Sequence, residues 1–240
     1  MITEPATALT DYAMAALAVA FAVDLRRRAP ATPHARSWST AFFLLAASAL
    51  SGGTFHGFRT ALAPWVVEAL WRVSLASASL ASFATMRALA LQWLGEPRAR
   101  PWMRLALVKL GVALLAGAVH PEFVVVVADF GLTLAFGLVA ATLGRSRDLR
   151  AFGLLCTGIF LFVLGAVIQQ ARVSPHPAFN HNDVFHVIQI LGNASFYLSA
   201  SEARGGERRL SRLRRPRRRS AHVSRARTRP SRPRSDTTPR

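Results

Sequence analysis

Cysteine is almost missing from this 240-residue chain: Cys156 stands alone, inside an apolar run. One thiol excludes an internal disulfide and a cysteine-built metal centre, and leaves Cys156 as a small interior residue. Acidic residues are scarce, 12 against 30 basic ones, for a formal charge of +18. A basic leader is lacking as well. "MITEPATA" at 1–8 holds no Lys or Arg, and "RRR" at 26–28 follows the first apolar run instead of preceding it. A cleaved secretory leader has the reverse order, so the first run reads as a helix with its N-terminus outside.

Apolar sequence is abundant. Seven runs rich in Leu, Ala, Val and Phe lie at about 8–25, 38–57, 65–86, 102–119, 123–143, 151–170 and 183–200. Each is long enough for the roughly 30 Å hydrocarbon core of a bilayer, and their small residues suit close helix approach. Basic residues alternate along the connections. Arg26, Arg27, Arg28 and Arg36, then Arg87, Arg98, Arg100 and Arg104, then Arg145, Arg147 and Arg150 mark one side; Arg59 and Arg172 alone mark the other. The positive-inside rule then puts the N-terminus outside and the C-terminus in the cytoplasm. The expected fold is all-α: a polytopic seven-transmembrane-helix bundle over 1–201, multi-pass in the cell membrane.

Residues 202–240 form the second expected region, a disordered Arg-rich cytoplasmic tail. Fifteen arginines there face three acids and supply +12 of the formal charge. Such a composition cannot bury a core. A polybasic run beside a membrane is drawn to anionic lipid headgroups by about 1 kcal/mol per residue. No aromatic residue interleaves the arginines, which argues against nucleic acid as the partner.

Topology assigns each polar residue a depth. Asp11, Tyr12, His56, Glu68, Arg72, Asp129, Gln169 and Gln170 fall in the outer half, with His181, Asn182, Asp183 and His186 opening the seventh helix. The inner half is largely apolar. Lys109, about 10 Å from the inner edge by helical rise, is expected to snorkel. Asn182, His186, Gln189 and Asn193 follow i, i+4, i+7 and i+11 and share one helix face, with Asp183 one turn from His186. Ionisable groups in a bilayer usually face the bundle interior and serve a function. Blander roles stay open beside that one. Glu68 and Arg72 have the spacing of a helix ion pair, Asn182 or Asp183 suits an N-cap, and Asp11 suits a cap or a solvated helix end.

Imidazoles plus a carboxylate are a ligand set for catalytic zinc, which keeps one position open for water. His56, His186 and His181 are the candidate metal ligands, with Glu68 and Asp183 as candidate catalytic carboxylates. Two readings follow: a zinc-dependent membrane hydrolase, or a non-catalytic seven-span sensor or ligand-binding protein whose polar cavity recognises a ligand or moves protons.

"GGTFH" at 52–56 and "NDVFH" at 182–186, on seven spans, resemble the superfamily of alkaline ceramidases and adiponectin and progestin receptors. Its second helix carries S-x-x-F-H, its third an early acid, and its seventh H-x-x-[aromatic]-H. The resemblance implies zinc held by His56 and His186, Glu68 in the place of the acid, and a lipid amide or ester as substrate. Gly52 stands where the motif has serine, and Asn182 where it has the first histidine, with His181 and Asp183 alongside. "FNHND" is also similar to a motif of bacterial seven-span membrane proteins of unassigned activity.

Overall fold

The computed structural model describes residues 2–28, 32–144, 148–176 and 178–214. Among them run seven α-helices: α1 Pro5–Arg28, α2 Pro33–Phe58, α3 Pro64–Trp93, α4 Glu96–Val119, α5 Phe123–Gly144, α6 Leu149–Gln170 and α7 His181–Arg214. No strand occurs among the described residues. Prolines open α1, α2 and α3, where a missing N–H is harmless and the fixed φ suits the first turn. At α6 the Asp148 carboxylate accepts from the N–H groups of Arg150 and Ala151, both at 3.0 Å, and caps the helix.

All seven expected runs lie within helices. α1 to α6 are each long and apolar enough to cross a membrane, while α7 is longer but too polar overall to join them on composition. Two boundaries move furthest. α3 continues to Trp93, because "RALALQW" keeps an apolar helical pattern. α7 continues to Arg214, past the expected domain boundary at 201. Residues 215–240, most of the expected tail, lie outside the described residues.

Chain neighbours α1, α2 and α3 pack side by side, α6 packs on α7, and α7 returns to α1. α4 and α5 lie mainly against α3, with little contact to each other. The core is built from Met14, Ala18 and Leu25 of α1, Trp38 and Phe42 of α2, Leu89 and Trp93 of α3, Leu155 of α6 and Phe196 of α7. Large apolar side chains such as Leu107, Val112, Leu132 and Phe160 point outward instead, as a lipid-facing surface requires.

Glycines set how closely some helices approach. A Cβ on Gly53 would lie 2.8 Å from Asp11 Cβ, and one on Gly57 3.1 Å from Ala8 Cβ. Gly53 and Gly57 therefore form the seat on which α1 rests, in the small-x-x-x-small spacing of membrane helix pairs.

One end of the bundle, here the near end, joins the starts of odd-numbered helices to the ends of even ones. Thr3 N–H donates to Gly57 O at 2.8 Å, and Trp71 Nε1 donates to Pro121 O at 2.7 Å. At the far end a buried relay crosses four helices. Trp38 Nε1 donates to Gln92 Oε1 at 2.7 Å, Gln92 Nε2 to Ser199 Oγ at 3.3 Å, and Ser199 Oγ to Ala151 O at 2.7 Å. Tyr197 adds a 2.7 Å bond from its hydroxyl to Asp24 Oδ2, with its ring stacked on Phe21.

Gly158 and Gly153 test this packing. A Cβ on Gly158 would collide with the buried Phe196 ring, whereas one on Gly153 meets nothing within 4 Å. Gly158→Val is expected to cost about 1–3 kcal/mol through overpacking and to lower the melting temperature in detergent. Gly153→Val should leave that temperature close to wild type.

Candidate functional site

The near-end polar group starts from the buried stripe of α1. Thr7, Ala8, Asp11, Met14, Ala15 and Ala18 recur at helical spacing and face inward. Asp11 is on that stripe and only 3 % exposed. The expectation of a solvated helix end or cap at Asp11 is therefore corrected: it is an interior carboxylate, carried inward by the register of the small residues around it.

The start of α7 meets this stripe. Asn180 Oδ1 accepts from Asn182 N at 2.8 Å, and Asp183 Oδ2 accepts from Asn180 N at 2.6 Å, a reciprocal box over the first turn. The N-cap is thus Asn180, in place of Asn182 or Asp183, and the Asn180 N–H is taken by the third helical residue, Asp183. Asp183 does more than close this box, because Thr7 Oγ1 donates to Asp183 Oδ1 at 2.7 Å across to α1.

One turn further, His186 turns to the same face. Its Nδ1 lies 3.1 Å from Thr10 Oγ1, and its Nε2 lies 3.4 Å from Asp11 Oδ1. Asp11 Oδ2 is buried with no hydrogen-bond partner. It faces the Gly52 position, where a Cβ would come within 3.6 Å.

His56 completes the end from α2. Its Nδ1 is 2.9 Å from Glu4 Oε2, and Arg59 holds the other Glu4 oxygen at 2.6 Å. His56 lies within electrostatic range of His186, and Asp183 within range of both Asp11 and His56. The aromatic wall behind His56 is Phe55 and Trp71.

Of the candidate residues, His56, Asp183 and His186 gather at this end. Glu68 does not join them. It is 64 % exposed and paired with Arg72, whose Nη1 donates to Ala118 O, so the pair faces α4. His181 turns to the α6–α7 connection, where its Nδ1 lies 3.3 Å from Ser174 Oγ. The polar stripe of α7 also divides. Gln189 faces α6 beside Gly165, and Asn193 lines a water-sized hollow of about 10 Å³ walled by Trp38, Phe130 and Phe196.

A second ionic cluster lies midway along the bundle. Lys109 of α4 pairs with Asp129 of α5 and donates to Ser82 Oγ of α3 at 3.0 Å; Ser82 and Thr133 hydroxyls are 2.8 Å apart. The expected snorkelling of Lys109 is corrected, since its side chain is 10 % exposed and points inward. A buried ammonium needs a counter-charge, and Asp129 supplies it within reach.

The helices define an all-α bundle of the multi-pass membrane type, with a His/Asp group shared by α1, α2 and α7. The chain belongs to DUF6962, a family of unknown function, whose match spans residues 6–204. That match takes in the whole near-end group except Glu4. No curated protein and no solved structure matches the chain.

Thr7→Val keeps the side-chain shape but leaves a buried Asp183 oxygen without its donor. The expected loss is about 1–3 kcal/mol, measured by thermal unfolding in detergent. Thr157→Val removes a hydroxyl that reaches only Gly153 O of its own helix, on an exposed face, and should change stability by less than about 0.5 kcal/mol.

Proposed function

We propose that the chain is a seven-span protein of the cell membrane, N-terminus outside and C-terminus cytoplasmic, that binds a cation in its outer half and works as a non-catalytic sensor or ligand-binding protein. The proton is the first such cation. The alternation of arginine supports the orientation. α7 counts as the seventh crossing because its polar residues Asp183, His186, Gln189 and Asn193 are buried, while Val187, Leu191 and Leu198 face outward. The arginines beyond residue 201 then meet anionic headgroups on the inner face.

The contact between His186 and Asp11 carries the binding reading. The Thr10 hydroxyl is placed to donate to Ala6 O or Thr7 O, at 3.1 and 3.0 Å. With its hydrogen so placed, the Thr10 oxygen accepts from His186 in the Nδ1–H tautomer. That tautomer leaves an unprotonated Nε2 facing a carboxylate oxygen at 3.4 Å. Two lone pairs repel, so a proton belongs between them. Both residues are buried, and the field of a charge placed there is little screened by water.

Hydrolysis of a lipid amide or ester is the second reading, favoured by the hydrogen bonds of the histidines. Glu4 on His56 Nδ1 and Thr10 on His186 Nδ1 leave both Nε2 atoms available, the second-sphere pattern of metal-ligating histidines. The donor types therefore suit zinc. Among the described residues no group of three or more His, Cys, Asp or Glu side chains is placed to hold a metal ion.

Three measurements test these readings. Reporter fusions at Arg28, Ala61, Arg100, His120, Arg147, His176 and the C-terminus should alternate in compartment; two neighbouring fusions on one side would defeat the seven-span topology. Infrared spectra through a pH titration should show a carboxylic-acid carbonyl band that Asp11→Asn removes, and an unchanged band would defeat the shared-proton site. Elemental analysis should find no stoichiometric metal in wild type or in Asn182→His. About one zinc per chain, lost in His56→Ala and His186→Ala, would favour the hydrolase.

A further inference from the structure

A cavity of about 170 Å³ opens between α3, α4 and α5, away from the His/Asp group. Its walls are apolar, chiefly Leu75, Leu114, Val125 and Val126. Gly117 gives it width, since a Cβ there would meet nothing within 4 Å. Arg72 stands at one end and Ser79 at the other, about 10 Å apart by helical rise. One turn beyond Ser79, Ser82 holds the Lys109–Asp129 pair, so a polar floor ends the apolar slot.

The mouth has a definite chemistry. Arg72 and Glu68 lie side by side, 44 % and 64 % exposed, so each keeps hydrogen-bonding capacity toward its surroundings. Trp65, 74 % exposed and one turn before Glu68, suits the headgroup level that interfacial tryptophans prefer. A lone arginine there would select an anionic lipid. With Glu68 beside it, the pair is neutral overall and dipolar. It complements a headgroup that is itself a zwitterion, above a slot that takes the upper part of one hydrocarbon chain.

We propose that this cleft binds one glycerophospholipid with a primary-ammonium headgroup, a phosphatidylethanolamine. Its phosphate lies on Arg72, its ammonium on Glu68, and one acyl chain enters the slot past Gly117. The site rests on the membrane-spanning reading of α3 to α5 and is independent of the cation site. It also gives Glu68 a role outside the near-end group.

Native mass spectrometry of protein in mild detergent tests it, with phosphatidylethanolamine, phosphatidylcholine and phosphatidylglycerol of identical chains. Wild type should retain one phosphatidylethanolamine about tenfold better than the other two, the effect of one charge-assisted hydrogen bond. Gly117→Phe fills the slot and should abolish retention. Gly111→Phe, on an exposed part of α4 where a Cβ also meets nothing within 4 Å, should retain lipid as wild type does. Glu68→Gln should erase the preference over phosphatidylcholine. Equal retention of the three lipids, or wild-type retention by Gly117→Phe, overturns the proposal. Alkaline carbonate extraction of the same membranes reads the spanning topology separately. A protein that stays in the membrane without lipid preference defeats the cleft alone, and one that is extracted defeats the spanning reading.

Discussion

The Asp183 carboxylate closes the bundle. One oxygen takes the Thr7 hydroxyl of α1, and the other takes the Asn180 amide at the start of α7. A carboxylate buried without partners is costly enough that a fold must provide them. Here the partners come from the first helix and from the turn that launches the last, so satisfying one side chain sets how α7 meets α1. The facing of His186 and Asp11 one turn below follows from that register. So does the outward direction of Val187 and Leu191.

Small residues let this closure occur at close range. Gly53 and Gly57 bring α2 against Asp11, Tyr12 and Ala8. α3 is the most enclosed of the six apolar helices, and Ser74, Ser77, Ala78, Ala81, Ser82 and Ala88 make up much of its inward surface, with Leu75, Met86, Leu89 and Trp93 between them. In lipid no hydrophobic force distinguishes a leucine facing a neighbour from one facing an acyl chain, so close contact and hydrogen bonds must organise the helices. Ser48 and Ser74 show this directly, each hydroxyl 2.9 Å from the other's backbone carbonyl. The far-end relay from Trp38 to Ala151 does the same for four helices.

The helices were legible in the sequence, because run length and the prolines at several helix starts encode them directly. Direction around each helix axis was not. Glu68 shares a depth with His56, yet α3 is rotated so that Trp71 faces His56 while Glu68 and Arg72 face α4. The sequence gives Lys109 a distance from an edge, but its partner is on the next helix and only the packing against α3 reveals it. His181 is one residue off the face that His186 occupies, enough to send it to Ser174. Asp11 was the recoverable case. Ala8, Ala15 and Ala18 already drew the buried stripe, and Asp11 lies on it.

The Lys109–Asp129 pair bears on how the chain enters a bilayer at all. Its two charges belong to consecutive helices joined by the short turn at His120–Glu122. Either residue alone near a helix centre opposes insertion by about 2.5–3.5 kcal/mol. Threaded one at a time, each helix would meet that barrier separately. Delivered together as a hairpin, α4 and α5 can neutralise each other's charge before lipid surrounds them. Of the two routes, delivery as a pair is the one on which these charges cost least, because each then enters lipid already neutralised.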